Sequence, residues 1–175
     1  KGRFDGGWDK AREEILVRQI ALGLVPKGTR LAPLPTGYAQ WNALSPDQKR
    51  LNARQMEAFA ASLSYADAQF GRILDDLTER GELDNTIVVI ASDNGTSAEG
   101  GPNGMLTEAY IGNETPVSLA ENLALFDKWG GPETSPHYAN GWAVAGNTPY
   151  RYYKRTAHEG GIHVPLVIAW PKGIA

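Results

Sequence analysis

The sequence predicts an α/β fold, a mostly parallel sheet flanked by helices, and three observations carry that expectation. The apolar, β-branched run Ile87 to Ala91 ends abruptly in Ser92-Asp93-Asn94-Gly95, which reads as a strand buried on both faces of a parallel sheet. A long helix with one apolar stripe precedes it across a short turn, the second half of a βαβ unit. A second apolar run, Val164 to Trp170, is bracketed by Pro165 and Pro171 and reads as another short strand. No convincing parallel strand lies upstream of the helix, and the sequence stops just after the second strand. The expectation is therefore an incomplete domain, with 1–175 a fragment of a larger unit.

Each element follows from local chemistry. Asp9 to Leu22 carries Ala11, Ile15, Ile20 and Leu22 among charges, with Gly23 as a stop, and predicts a first helix. Val25 to Gly37, with three prolines and two glycines, predicts an extended connector, and its length predicts that it packs against another part of the chain. Ser45-Pro46-Asp47-Gln48 is a helix start in which Ser45 caps, Pro46 takes the first helical position and Gln48 completes a capping box. Met56, Phe59, Leu63, Ala66, Phe70, Ile73, Leu74 and Leu77 then form one apolar face of a sheet-covering helix that Gly81 ends. Thr96 to Gly104 is a glycine-rich loop. Ser118 to Trp129 predicts a short helix, with a capping box from Ser118 and Glu121. Gly130 to Pro149 reads as irregular chain rich in Pro, Gly, Asn and aromatics.

Composition narrows the function classes. A 42% hydrophobic and 21% charged chain of 175 residues is globular in character, and a net charge of −3 with no basic cluster argues against nucleic acid as a partner. No apolar run approaches the ~20 residues needed to span a bilayer. The absence of cysteine removes disulfides, thiolate metal sites and cysteine nucleophiles, and leaves the compartment undetermined. Lys1 is not an initiator methionine, so a trimmed chain with a segment upstream is the expectation.

Two stretches bear chemistry. Polar residues at the C-terminal end of a sheet strand sit where open α/β sheets bind ligands. Asp93 and Asn94 offer hard oxygen donors there, suited to Ca²⁺ or Mg²⁺, while Asp-Asn-Gly after a strand is more often a turn. The second stretch, Arg151 to Pro165, sets Lys154 and Arg155 before His158-Glu159-Gly160-Gly161, and paired glycines allow close backbone approach.

GELDNTIVVIASDNG, together with Lys154 followed by HEGGIHVP and WPKGI, resembles two blocks of the type I sulfatases, arylsulfatase branch, in the family's order and separation. The second block is the family's K-x₄-E-G-G-x-x-x-P signature. The resemblance implies an alkaline-phosphatase-like fold and a middle-to-late part of a catalytic domain that hydrolyses small-molecule or saccharide sulfate esters. It further implies Ca²⁺ (Mg²⁺ as the alternative) held by Asp93 and Asn94 with carboxylates from an earlier segment. Lys154 is the implied sulfate contact and catalytic lysine. The family nucleophile is a formylglycine made in a C/S-x-P/A-x-R motif, which this sequence does not contain. The chain alone is therefore expected to be inactive.

His158 stands where the family often has an aromatic, so packing competes with sulfate contact. His163 reads as structural, His137 as a candidate pocket residue, Arg155 as surface and Glu159 as ordering the Gly-Gly turn through backbone hydrogen bonds. The tyrosines and tryptophans of 138–153 form either an aryl-binding wall or a loop anchor. Two other functions fit the same residues: a phosphoester or phosphonate monoester hydrolase of the superfamily, and a degenerate, non-catalytic sulfatase-like module. Self-association through an exposed sheet edge is the expectation for partners.

Overall fold

The computed structural model describes residues 1–109 and 117–174. Helix α1 spans Gly7–Ala21 and helix α2 spans Pro46–Glu79. The Ser45 hydroxyl accepts from the Gln48 amide, and the Gln48 side chain accepts from the Ser45 amide, so the capping box starts α2 where Pro46 suits the first turn. Gly81, at φ +69°, follows the end of the helix in the left-handed conformation that stops it. A 3₁₀ turn, Leu83–Asn85, then leads into strand β1, Val88–Ala91.

The rest is a long excursion that returns to the same strand. Its described residues include three short helices: α3, Leu119–Ala124; α4, Asn140–Gly146; and α5, Glu159–Ile162. Strand β2, Leu166–Ala169, closes it. The two strands pair antiparallel, with Val88 opposite Ala169 and Ala91 opposite Leu166. The strand pair among the described residues is thus antiparallel, where the sequence predicted a mostly parallel sheet. A β-branched run specifies a strand but not its direction. Direction is set by where the connection re-enters, and 92–165 leaves and returns at one end of the pair.

Burial is corrected too. Val89, Ile90, Leu166, Val167 and Ile168 are all exposed, so β1 is covered on neither face by the described residues. Helix α2 divides in the same way. Its first half buries Leu51, Asn52, Ala53, Gln55 and Ala58, while Leu63 and Ile73 on the expected sheet-covering stripe are exposed.

The core lies instead at the N-terminal end. Trp8 of α1, Trp41 and Trp142 of α4 meet edge-on or tilted, with ring centroids 4.9, 5.7 and 5.8 Å apart. Each is at most 4% exposed. The Trp142 indole donates to Asn52 O at 2.8 Å, and the Trp8 indole donates to Ala39 O at 3.2 Å, so the buried polar ends are satisfied. Helix α4 lies inside 130–149, which the sequence suggested was irregular. Its run Gly141-Trp142-Ala143-Val144-Ala145 is buried all round, so no amphipathic period marks it.

The connector packs as expected. The Ala32 amide donates to Pro149 O at 3.3 Å, the Arg12 guanidinium donates to Ala32 O, and Tyr38 stacks on Tyr153. Burial lowers the Arg12 pKa, with Asp9 opposing that shift.

Truncating Trp142 removes the ring that packs against Phe4, Trp8 and Trp41 and leaves the Asn52 carbonyl without its indole donor. Trp142→Ala should cost about 3–5 kcal/mol, read as a lower denaturant midpoint.

Candidate functional site

The site forms where the two ends of the excursion meet. The Ser92 amide donates to Pro165 O at 3.4 Å, the Gly95 amide to Gly161 O at 3.1 Å, and the Lys154 amide to Thr96 O at 3.0 Å. A β-carbon on Gly95 would lie 1.8 Å from Gly160 O, and one on Gly160 would lie 2.1 Å from Tyr152 O. The close backbone approach expected of the paired glycines is thus what the structure contains. The Gly-Gly segment is a helical turn, with Gly160 N donating to Arg151 O and Gly161 N to His158 O. The Glu159 carboxylate pairs with the His163 ring at 2.8 Å rather than ordering those amides, which corrects its expected role.

Asn147, at the end of α4, ties this corner to the core. Its Oδ1 accepts from the Thr96 amide at 3.1 Å and its Nδ2 donates to Tyr152 O at 3.0 Å. Thr96 also donates through its hydroxyl to Ala143 O. The glycine-rich loop is held from the other side by Gln55 and Asn122. Gln55 donates to Asn103 O at 2.7 Å and accepts from the Ala139 amide at 2.9 Å. Asn122 donates to Asn103 O at 3.1 Å and Gly104 O at 3.0 Å. Both side chains are at most 2% exposed, and burying unpaired amides is costly, so these bonds define the loop path.

Asp93 is exposed and Asn94 half-buried at the tip of β1. Asn94 Nδ2 donates to Gly95 O at 2.9 Å. Among the described residues Asp93 makes no hydrogen bond or ion pair, and Asn94 Oδ1 accepts none. As hard, unengaged oxygens they fit a divalent cation in kind. In number they are two against the six to eight oxygens of a Ca²⁺ shell. No cluster of three or more His, Cys, Asp or Glu among the described residues could hold a metal ion.

Lys154 lies between two non-glycine residues in left-handed conformation, Tyr152 at φ 63° and Arg155 at φ 71°. Such backbone is strained for a side-chain-bearing residue. Its ammonium pairs with Glu99 Oε2 at 3.3 Å, and the Arg155 guanidinium approaches Glu99 Oε1 at 3.7 Å. Glu99 is the residue that sequence reasoning missed. Its one sequence signal is that it is the only acid in Thr96 to Gly104. The Ser97 hydroxyl, donating at 2.9 Å, is the largest cause holding its carboxyl below the usual range. The Lys154 bond and charge and the His137 charge act the same way, against partial burial.

His158 is exposed, its ring tilted against Tyr152 at 4.5 Å, a packing contact. His163 stacks on Tyr150 at 4.4 Å. His137 lines a cavity of about 530 Å³ together with Asn94, Ser97, Tyr138, Phe59 and His163. Burial pushes the Tyr138 phenol up to about 12, so it serves that wall as a neutral ring. Of the aromatics in 138–153, Trp142 anchors the core, Tyr153 stacks on the connector and Tyr138 borders the cavity, edge-on to Phe59.

Fold and site together define a class: an α/β chain in which a strand-end Asp-Asn pair and a lysine-to-Glu-Gly-Gly turn converge. Residues 21–175 match the sulfatase family model, and the chain belongs to that family, in the alkaline-phosphatase-like superfamily. An uncharacterized sulfatase of Schizosaccharomyces pombe is 34% identical over 174 residues, covering 98% of this chain and 30% of the relative. An arylsulfatase of Klebsiella aerogenes is 29% identical over 172 residues, covering 98% of this chain and 35% of the relative. The chain thus spans about a third of the length of these curated relatives.

Two outcomes follow from this geometry. Gly95→Ala forces a methyl group onto Gly160 O and should separate the two motif blocks, seen as faster amide exchange at position 95 and at Lys154 with the tryptophan core still protected. The Glu99 pKa is depressed in the folded state, so its stabilising contribution is present above its ordinary value of 4.5 and lost as pH falls through the lower folded value. Glu99→Gln should flatten that acid limb of the stability profile, measured by denaturation between pH 3 and pH 6, about the ordinary carboxylate range.

Proposed function

We propose that the whole protein to which this chain belongs hydrolyses sulfate esters of aryl or other small-molecule or saccharide type. Asp93 and Asn94 hold a divalent cation, Ca²⁺ by family resemblance, and Lys154 contacts the sulfate. The observation that supports the reading is the backbone docking of Gly95 on Gly161 and of Lys154 on Thr96, two residues past the Asp-Asn pair.

The chemistry of these side chains suits the reaction. A sulfate monoester carries one negative charge, and more develops on the leaving oxygen as the S–O bond breaks. A bound divalent cation would supply electrostatic stabilisation of that charge. Asp93 brings a carboxylate to such an ion, while Asn94 adds a neutral oxygen without further neutralising it. Lys154 places a point charge on a flexible stem, and fixed donors aimed at developing charge are worth more than donors that must reorganise. The strained backbone on either side of Lys154 and the Thr96 contact at its amide limit that reorganisation. The aromatic and apolar cavity beside Asn94 offers room for the organic part of the ester. Formylglycine as nucleophile belongs to this proposal too, supplied by sequence other than these 175 residues.

In the whole protein, Lys154→Ala should lower kcat about 10²- to 10³-fold, the usual cost of losing one donor to developing charge. Asp93→Ala should weaken Ca²⁺ binding in titration calorimetry. The 175-residue chain alone should turn over no sulfate ester. Full activity in both variants would defeat the site assignment. A panel of sulfate and phosphate esters tests the reaction itself, and preferential turnover of phosphate esters would overturn it.

A further inference from the structure

The ammonium of Lys154 is engaged by Glu99, which also bonds the Ser97 hydroxyl at 2.9 Å, faces Arg155 at 3.7 Å and lies in the field of His137. Glu99 is 21% and Lys154 36% exposed at the side chain, so the pair is partly shielded from water. A carboxylate in such a place would otherwise oppose an anionic substrate. Its neighbours instead bind it on both oxygens: Ser97 and Lys154 at Oε2, Arg155 at Oε1. Its loop is pinned by the buried amides of Gln55 and Asn122 at Asn103 and Gly104, and the bridge between Met105 and His137 fixes the far side. Glu99 is thus a rigidly mounted acceptor at the end of an otherwise flexible lysine stem.

We propose that Glu99 is a positioning residue for Lys154. Its carboxylate, oriented by Ser97, holds the lysine ammonium against the glycine-rich loop that follows Asp93-Asn94, where a sulfate group can share it. The ordering cost of the lysine stem is then met before substrate arrives. Neither Glu99 nor Ser97 touches the reacting atoms in this proposal, and both act through Lys154. The inference rests on the reading of Lys154 as the sulfate contact.

The test is a double-mutant cycle in the whole protein, with a sulfate ester of a chromogenic phenol as probe. Glu99→Gln should lower kcat about tenfold with KM changed less than about twofold, within the range of coupling between contacting residues. Ser97→Ala should act in the same direction and less strongly. In a Lys154→Ala background both changes should have no further effect, because the group they position is gone. Additive losses in that background would make Glu99 a structural residue and overturn the proposal. A rise in kcat, or a lower KM, in Glu99→Gln would also overturn it, making the carboxylate an opponent of the substrate. If Lys154→Ala itself retains full activity, the underlying reading of Lys154 fails, a result distinct from the other two.

Discussion

The structure depends on one contact that no side chain makes. Gly95 lies against Gly160 and Gly161 so closely that a single β-carbon on Gly95 would overlap the Gly160 carbonyl oxygen. That approach lets the chain leave β1 and return to β2 at the same end, and the antiparallel register follows from it. It also brings Asp93-Asn94 to the Lys154 segment, sixty residues further along the sequence. Here glycine matters for the room it leaves as much as for its conformational freedom.

Glycine permits the approach, and buried amides and indoles hold it in place. The side chains of Gln55 of α2, Asn122 of α3 and Asn147 just after α4 make hydrogen bonds with loop backbone that would otherwise be buried without partners, and the Trp142 indole donates to Asn52 O. The tryptophan cluster fixes α1, Trp41 and α4 relative to one another. A site built largely on loops becomes ordered because each loop is held by polar side chains mounted on helices. The same first half of α2 therefore serves core and site together. Its second half leaves Leu63 and Ile73 exposed, with Leu63 bordering the cavity beside Asn94.

Electrostatics at the site centre on Glu99. Three donors converge on a carboxylate that composition would assign to a solvated loop. The effect is local: net charge is near balance, and no broad basic surface is needed to receive a monoanion. In the proposed reaction the useful positive charge is the lysine at one end of this network.

The sequence by itself determined what is local. The capping box placed the start of α2, Gly81 placed its stop, both strands were legible from β-branched runs between turn residues, and the two motif blocks pointed to the sulfatase family. Tertiary structure alone decided strand direction, the buried helix α4, the role of Glu159 and the pairing of Lys154 with Glu99. The physical reason is the same in each case. Capping, turns and strand propensity act over a few residues and leave a pattern in neighbouring letters. Strand direction depends on where a long connection re-enters, and a helix buried all round has no period to show. An ion pair between positions 99 and 154 depends on a backbone approach that only the folded chain creates.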